Sequence, residues 1–301
     1  MENTKLMPPD EVARMFARLG ELRLDVSGIR RKFLDCPYGE DPRQVLDIYL
    51  PNEGIGPFPI LFFAHGGAWS GGSRNDNQLV TFIEGVARGY AVVSVGYRLM
   101  PAIRYPENLF DIKAALRWIA LNADNYLLNP SRAALAGSSA GAHLMMMAAF
   151  TQGQAAFDSA VDPSSCGILA VVEQFGPTDF FKFHTHYDES GFARAQSPGD
   201  PSALDALLGV NAESIPNLVR FVNPIDNVHP EIPPVLIQHG RYDPIIPYQQ
   251  GVELYEKIIA VAGAGKAELD ISEVFLHADP GYAAAESLDR IFGFLDKHVR
   301  R

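Results

Sequence analysis

Cysteine is almost absent from this chain. Its 301 residues include two, Cys36 and Cys166, with no Cys-x-x-Cys pair and no Cys/His cluster. A disulfide framework and a thiolate metal site are therefore not expected. Long apolar runs are also missing, and no window approaches the roughly 18 residues that a transmembrane helix needs. The opening stretch, MENTKLMPPDEVARMF, carries acids early and no apolar run, which argues against a secretory leader. A reducing, cytoplasmic setting follows as the expectation. Positive charge is in short supply: 25 Lys and Arg against 36 Asp and Glu give a net charge of -11. That disfavours nucleic acid and an anionic membrane surface as partners. There is no internal repeat and no low-complexity tract. What is there is 47% hydrophobic and 20% charged, enough apolar side chain for a large core. Residues 1–301 are read as a single domain, with a homo-oligomer left open.

Strand and helix patterns alternate along the chain. Residues 45–50, 60–65, 91–97, 133–137, 167–175, 235–240 and 268–276 read as strands, several of them continuous apolar runs of the kind buried in parallel sheets. Residues 9–20, 76–88, 107–126, 140–150, 247–263 and 286–299 have helical spacing. Residues 177–230 break the rhythm, being aromatic and rich in Pro and Asp, and are read as a cap-like insertion over the sheet edge. The pattern predicts an α/β fold with a mostly parallel central sheet flanked by helices. Ligands then bind beyond the carboxyl ends of the strands.

Gly137-Ser138-Ser139-Ala140-Gly141 fits G-x-S-x-G with Ser139 at its centre. A strand-to-helix turn this sharp needs small residues two before and two after the serine, because the backbones nearly touch. Centring on Ser138 puts Ala136 and Ala140 there, a poorer fit, so Ser138 is read as a supporting hydroxyl. A serine hydroxyl needs a base and an orienting acid, expected in the order Ser, acid, His. Among the later histidines, His298 lies in the last helix, and His239 precedes the best acid. That leaves His277, with Asp243 as the acid; Asp279 and Asp226 are the weaker rivals. His65-Gly66-Gly67-Ala68-Trp69 follows a buried strand, where backbone donors for an oxyanion are expected. The N–H groups of Gly67, Ala68 and Ala140 are the candidates.

Other residues carry less. His143 is expected to be packed in its helix, and Met145, Met146 and Met147 to fill core. Arg98 and Asp111 are expected to form a structural ion pair. His184 and His186 lack a third ligand at recognisable spacing, so no metal is expected. The stretch 180–188, FFKFHTHYD, reads equally as a pocket lining or as a satellite core tying down the insertion. Trp69, Phe180, Phe181 and His184 are the pocket candidates.

Together HGGAW, GYRLMPAIRYPENLFDIKAALRWI, GSSAGAHL, HGRYDPIIP and HADPGY resemble the α/β-hydrolase esterases related to hormone-sensitive lipase. The bacterial acetyl-xylan and feruloyl esterase-like branch is the nearest match, and the resemblance covers about residues 45–299. It implies an α/β-hydrolase fold with Ser139 as nucleophile, Asp243 as acid and His277 as base. It implies a cofactor-free serine carboxylesterase acting on a small-molecule ester, with short acyl groups, acetyl or hydroxycinnamoyl esters of carbohydrates among them. An arylformamidase-like amide hydrolase is the first alternative and a non-catalytic binding protein on the same fold the second. Two positions depart from the family pattern: Ala68 and Ala278 stand where it usually has glycine.

Overall fold

Ile60 to Ala64 have no solvent exposure at all, and neither do Ala91, Val92 and Val93. Runs this apolar can only sit in a sheet covered on both faces. In the computed structural model, which describes residues 8–19, 22–157, 166–190 and 202–300, they are β3 (Phe58–Ala64) and β4 (Ala91–Val95). The other strands are β1 (Lys32–Pro37), β2 (Val45–Tyr49), β5 (Leu128–Ser138), β6 (Ile168–Gln174), β7 (Val235–Gly240) and β8 (Ala267–Ser272). Among the described residues they form one sheet in the order β1-β2-β4-β3-β5-β6-β7-β8. From β4 to β8 every neighbouring pair is parallel; β1 and β2 run antiparallel at one edge.

Side chains alternate across the strands and build two cores. Ile60, Phe62, Val93 and Leu135 face one side. There they pack against α3 (Glu107–Asn122), α4 (Ala140–Phe150) and α8 (Gln249–Ala262). Leu61, Phe63, Val92, Ala134 and Val172 face the other side, with α9 (Ala285–Val299) and the short α2 (Val80–Ile83). Every residue of α4 is buried, so this helix carries no polar stripe.

The structure departs from the sequence pattern in three places. β1 has one buried residue, Cys36, and a bulge between Phe33 and Cys36, so its pattern carries no alternation to read. The helix read at 76–88 is instead a 3₁₀ turn, α2 and further turns ending at Gly89. The last strand stops at Ser272, whose Oγ accepts from the N–H groups of Val274 and Phe275 and turns the chain out of the sheet. The described part of the insertion holds α5 (Phe183–Ser190), α6 (Ala203–Leu208) and α7 (Pro216–Val222). The opening helix is α1 (Pro9–Leu19); residues 191–201 of the insertion, residues 1–7 of the opening stretch and Gly20, read as the end of that helix, lie outside the described residues.

Backbone meets backbone closely where β5 turns into α4 beneath the end of β3. A Cβ on Gly137 would stand 2.5 Å from the Gly141 carbonyl carbon, and one on Gly141 would overlap the carbonyl oxygens of Ala64 and His65. Gly141→Ala is expected to lower stability by about 1–3 kcal/mol or more, read from the midpoint of denaturant unfolding. A midpoint equal to wild type would contradict this contact.

Candidate active site

The turn between β5 and α4 holds Ser139 at φ 54° and ψ −121°. An L-residue is strained there, and the surrounding backbone holds it in place. The Ser139 N–H donates to Gln174 O at 2.8 Å. Ser138 is buried, and its Oγ donates to Gln174 Oε1 at 3.2 Å. A row of amides continues across the strand ends: Gln174 Nε2 donates to Gln238 Oε1 at 3.0 Å, and Gln238 Nε2 to Asp270 Oδ2 at 2.9 Å.

The loops after β7 and β8 bring Asp243 and His277 to the same rim. His277 Nδ1 lies 2.7 Å from Asp243 Oδ2, and His277 Nε2 lies 3.2 Å from Ser139 Oγ. An ionised carboxylate only accepts, so Nδ1 carries the proton and the Nε2 lone pair faces the serine hydroxyl. Asp243 Oδ1 accepts from the N–H groups of Ile245 at 2.8 Å and Ile246 at 2.9 Å. Burial works to push the Asp243 carboxyl up. The imidazoles of His277 and His239 outweigh it and hold the group well below the usual carboxylate range. His239 Nε2 donates to Ile246 O at 2.9 Å and lies 3.4 Å from Asp243 Oδ2. The rival acids are engaged elsewhere: Asp279 Oδ1 accepts from Gly281 N–H, and Asp226 meets Asn223 and Arg220.

The loop after β3 passes beside Ser139. Gly67, Ala68 and Trp69 all have positive φ, at 117°, 49° and 57°. A Cβ on Gly67 would stand 2.5 Å from Gly71 O. The neighbouring N–H groups are used internally: Gly66 donates to Gln78 Oε1 at 2.9 Å, and Ser70 and Gly71 donate to Gly67 O. Among the described residues, no acceptor is recorded for the N–H groups of Gly67, Ala68 or Ala140, which leaves three donors for an oxyanion. His65 sits behind them, its Nδ1 on Gly66 O at 2.7 Å and its ring stacked 4.5 Å from Tyr97. Burial lowers its pKa, so it holds the loop as a neutral ring. Ala278, at φ 52°, and Ala68 both adopt a left-handed backbone, which is the physical reason glycine suits these positions.

Trp69 is buried and meets His143 edge-on at 5.3 Å and Phe180 at 6.1 Å. The aromatic stretch divides beyond that point. Phe180 turns inward, whereas Phe181 is 46% exposed under the Arg220 guanidinium and His184 lies exposed on α5. His186 is buried, bonded to Gln250 and close to Glu253. No cluster of three metal-ligating side chains occurs among the described residues. Arg98 and Asp111 form the ion pair read from the sequence, at 2.7 Å. Sequence reasoning missed a cavity of about 570 Å³ beside Ala68, walled by Met100, Pro101, Arg104, Gly209 and Val210. It brings together the loop before α3 and the turn after α6, which are far apart in the chain and carry no shared motif.

Glu173, at the end of β6, was also missed, because a single acid in an apolar strand has no spacing signature. It is fully buried. Its Oε1 accepts from Gly176 N–H, and Oε2 has no partner among the described residues. Burial pushes its carboxyl up to about 7; Asp243 adds to the rise, and His239 with the Gly176 N–H opposes it.

The BD-FAE family model matches residues 46–258. Esterase LipC of Mycobacterium tuberculosis (strain ATCC 25618 / H37Rv) is 31% identical over 251 residues, covering 80% of this chain and 58% of that protein. A bifunctional GH43-CE structure from Bacteroides eggerthii superposes with a TM-score of 0.76 at 26% identity, over 89% of this chain and 35% of that one. A truncated carbohydrate esterase from gut microbiota superposes at 0.79 and 24% identity, over 92% of this chain and 99% of that one. The chain spans 49–62% of the length of three mycobacterial relatives that it matches. The fold is that of the α/β-hydrolases.

Between pH 4.5 and about 7 the folded chain keeps a proton on Glu173 that the unfolded chain releases. Stability from this group therefore falls as pH rises through that window, by about 3 kcal/mol in total. Glu173→Gln is expected to remove that fall, measured by unfolding at pH 5 and pH 8. The same pH slope in variant and wild type would contradict the assignment.

Proposed function

The chain belongs to the BD-FAE family, and on that premise we propose that it is a serine carboxylesterase. The observation that carries the reading is the His277 imidazole spanning Asp243 and Ser139, at 2.7 Å and 3.2 Å. His277 Nε2 takes the Ser139 proton as Oγ attacks the ester carbonyl. Asp243 fixes the tautomer and stabilises the imidazolium that forms. The N–H groups of Gly67, Ala68 and Ala140 receive the developing oxyanion; each such donor is typically worth about 10²–10³ in kcat. His277 then hands its proton to the departing alcohol. Water, activated by the same imidazole, releases the acyl group and frees Ser139.

Short acyl esters are the proposed substrates, including acetyl and hydroxycinnamoyl esters of carbohydrates. The motif set supports this choice, as does the cavity beside Ala68, whose walls Met100, Pro101 and Val210 are apolar. The esterase names of the mycobacterial relatives support the ester over the amide.

Ser139→Ala is expected to lower kcat/KM on 4-nitrophenyl acetate by about 10⁴-fold or more. Ser138→Ala, which removes only the bond to Gln174, is expected to keep most of the rate. The reverse outcome would move the nucleophile to Ser138. On wild type, acetyl and feruloyl esters are expected to exceed both long-chain esters and formanilides in kcat/KM. A preference for formanilide would replace the ester reading with an amide one.

A further inference from the structure

Three polar atoms lie buried behind the loop after β3 without a partner among the described residues. Trp69, Tyr105 and His143 are 3%, 5% and 0% exposed. Their rings form one cluster around His143: Trp69 at 5.3 Å, Tyr105 at 6.0 Å, and Phe180 at 5.6 Å as an apolar wall. Trp69 Nε1, Tyr105 Oη and His143 Nδ1 have no hydrogen-bond partner among the described residues. Native proteins leave few such atoms unpaired, and here three belong to one set of contacting rings.

The chemistry of the three atoms is complementary to one kind of group. His143 Nε2 lies 2.9 Å from Val222 O; a carbonyl only accepts, so Nε2 carries the proton. Burial lowers the imidazole pKa to about 4, so the ring is neutral and Nδ1 presents a lone pair. Trp69 Nε1 can only donate. Burial raises the Tyr105 phenol and keeps its proton in place to donate. The set is two donors and one acceptor. A hydroxyl or water oxygen matches it, with lone pairs for the donors and a proton for Nδ1. A carbonyl or carboxylate would set a lone pair against Nδ1, an ammonium would face two donors, and a methyl would leave all three unpaired.

The cluster is joined through the backbone to the turn that holds Ser139. Trp69 continues the oxyanion loop from Ala68, and the His143 N–H donates to Ser139 O at 3.1 Å. We propose that Trp69, Tyr105 and His143 form a binding site for a single hydroxyl-type oxygen, supplied by water in the free protein and by a hydroxyl on the acyl group of a hydroxylated ester. The water half stands on the cluster alone; the acyl half rests on the serine esterase reading.

Two measurements separate these sources. The first is independent of activity: a crystal structure of the protein, together with unfolding of Tyr105→Phe. The expected result is an ordered water bonded to Nε1, Oη and Nδ1, and a variant less stable than wild type, since the phenol loses a real partner. No density at that point, with a variant as stable as wild type or more so, overturns the site, because deleting an unpaired buried hydroxyl relieves its desolvation. The second compares kcat/KM for 4-nitrophenyl 2-hydroxypropanoate with propanoate, and 3-hydroxybutanoate with butanoate. One hydroxylated partner is expected to be favoured by about tenfold or more, and the ratio to collapse in Tyr105→Phe. Ratios near one in wild type, with the water present, overturn the acyl half and leave the water half standing. No hydrolysis of any of the four esters overturns the esterase reading itself, and the first measurement still decides the site.

Discussion

The contact of α4 with the ends of β3 and β5 is backbone against backbone. Neither Gly137 nor Gly141 has room for a Cβ, so the chain reverses from strand to helix within one residue. That reversal holds Ser139 in a left-handed conformation and lifts its hydroxyl off the sheet. His277 meets it there because β8, two strands further from β5 than β6, ends at the same rim. The loop after β3 depends on the same contact, since Gly66 packs against the Ser138 carbonyl and the Ser139 side chain. The arrangement of Ser139, Asp243 and His277 is thus set by glycines and strand ends, with these side chains projecting from the sheet.

Two buried carboxyls in this neighbourhood have opposite fates. Asp243 has two imidazoles and two backbone N–H groups, and it stays ionised. Glu173 has one N–H on one oxygen, and burial dominates. The difference lies in the number of donors, since both are fully buried. It supplies a physical reason why the acid in contact with His277 is charged while its neighbour on the next strand holds a proton.

Much of this was legible in the residues. The buried strands announce themselves as apolar runs, and the elbow glycines, Asp243 and His277 follow strands that the pattern locates, although β8 stops at Ser272, short of the end read from the sequence. The outcome for Ala68 and Ala278 was legible only as a departure from a family pattern; the left-handed backbone there supplies its cause. Other features had no local signal. β1 is an edge strand with a bulge, and its residues face solvent on most sides. Phe180 and Phe181 are neighbours of the same type, yet one packs on Trp69 and the other lies at the surface. Glu173, Tyr105 and the cavity beside Ala68 owe their character to three-dimensional neighbours, which a linear pattern does not carry.

The central claim is that one serine, Ser139, is made nucleophilic by the His277–Asp243 pair. Treating the protein with a fluorophosphonate and locating the adduct by peptide mass spectrometry tests it most directly. A single adduct on Ser139, abolished in His277→Ala, is the expected result. An adduct on Ser138, or none on an otherwise folded protein, would contradict it.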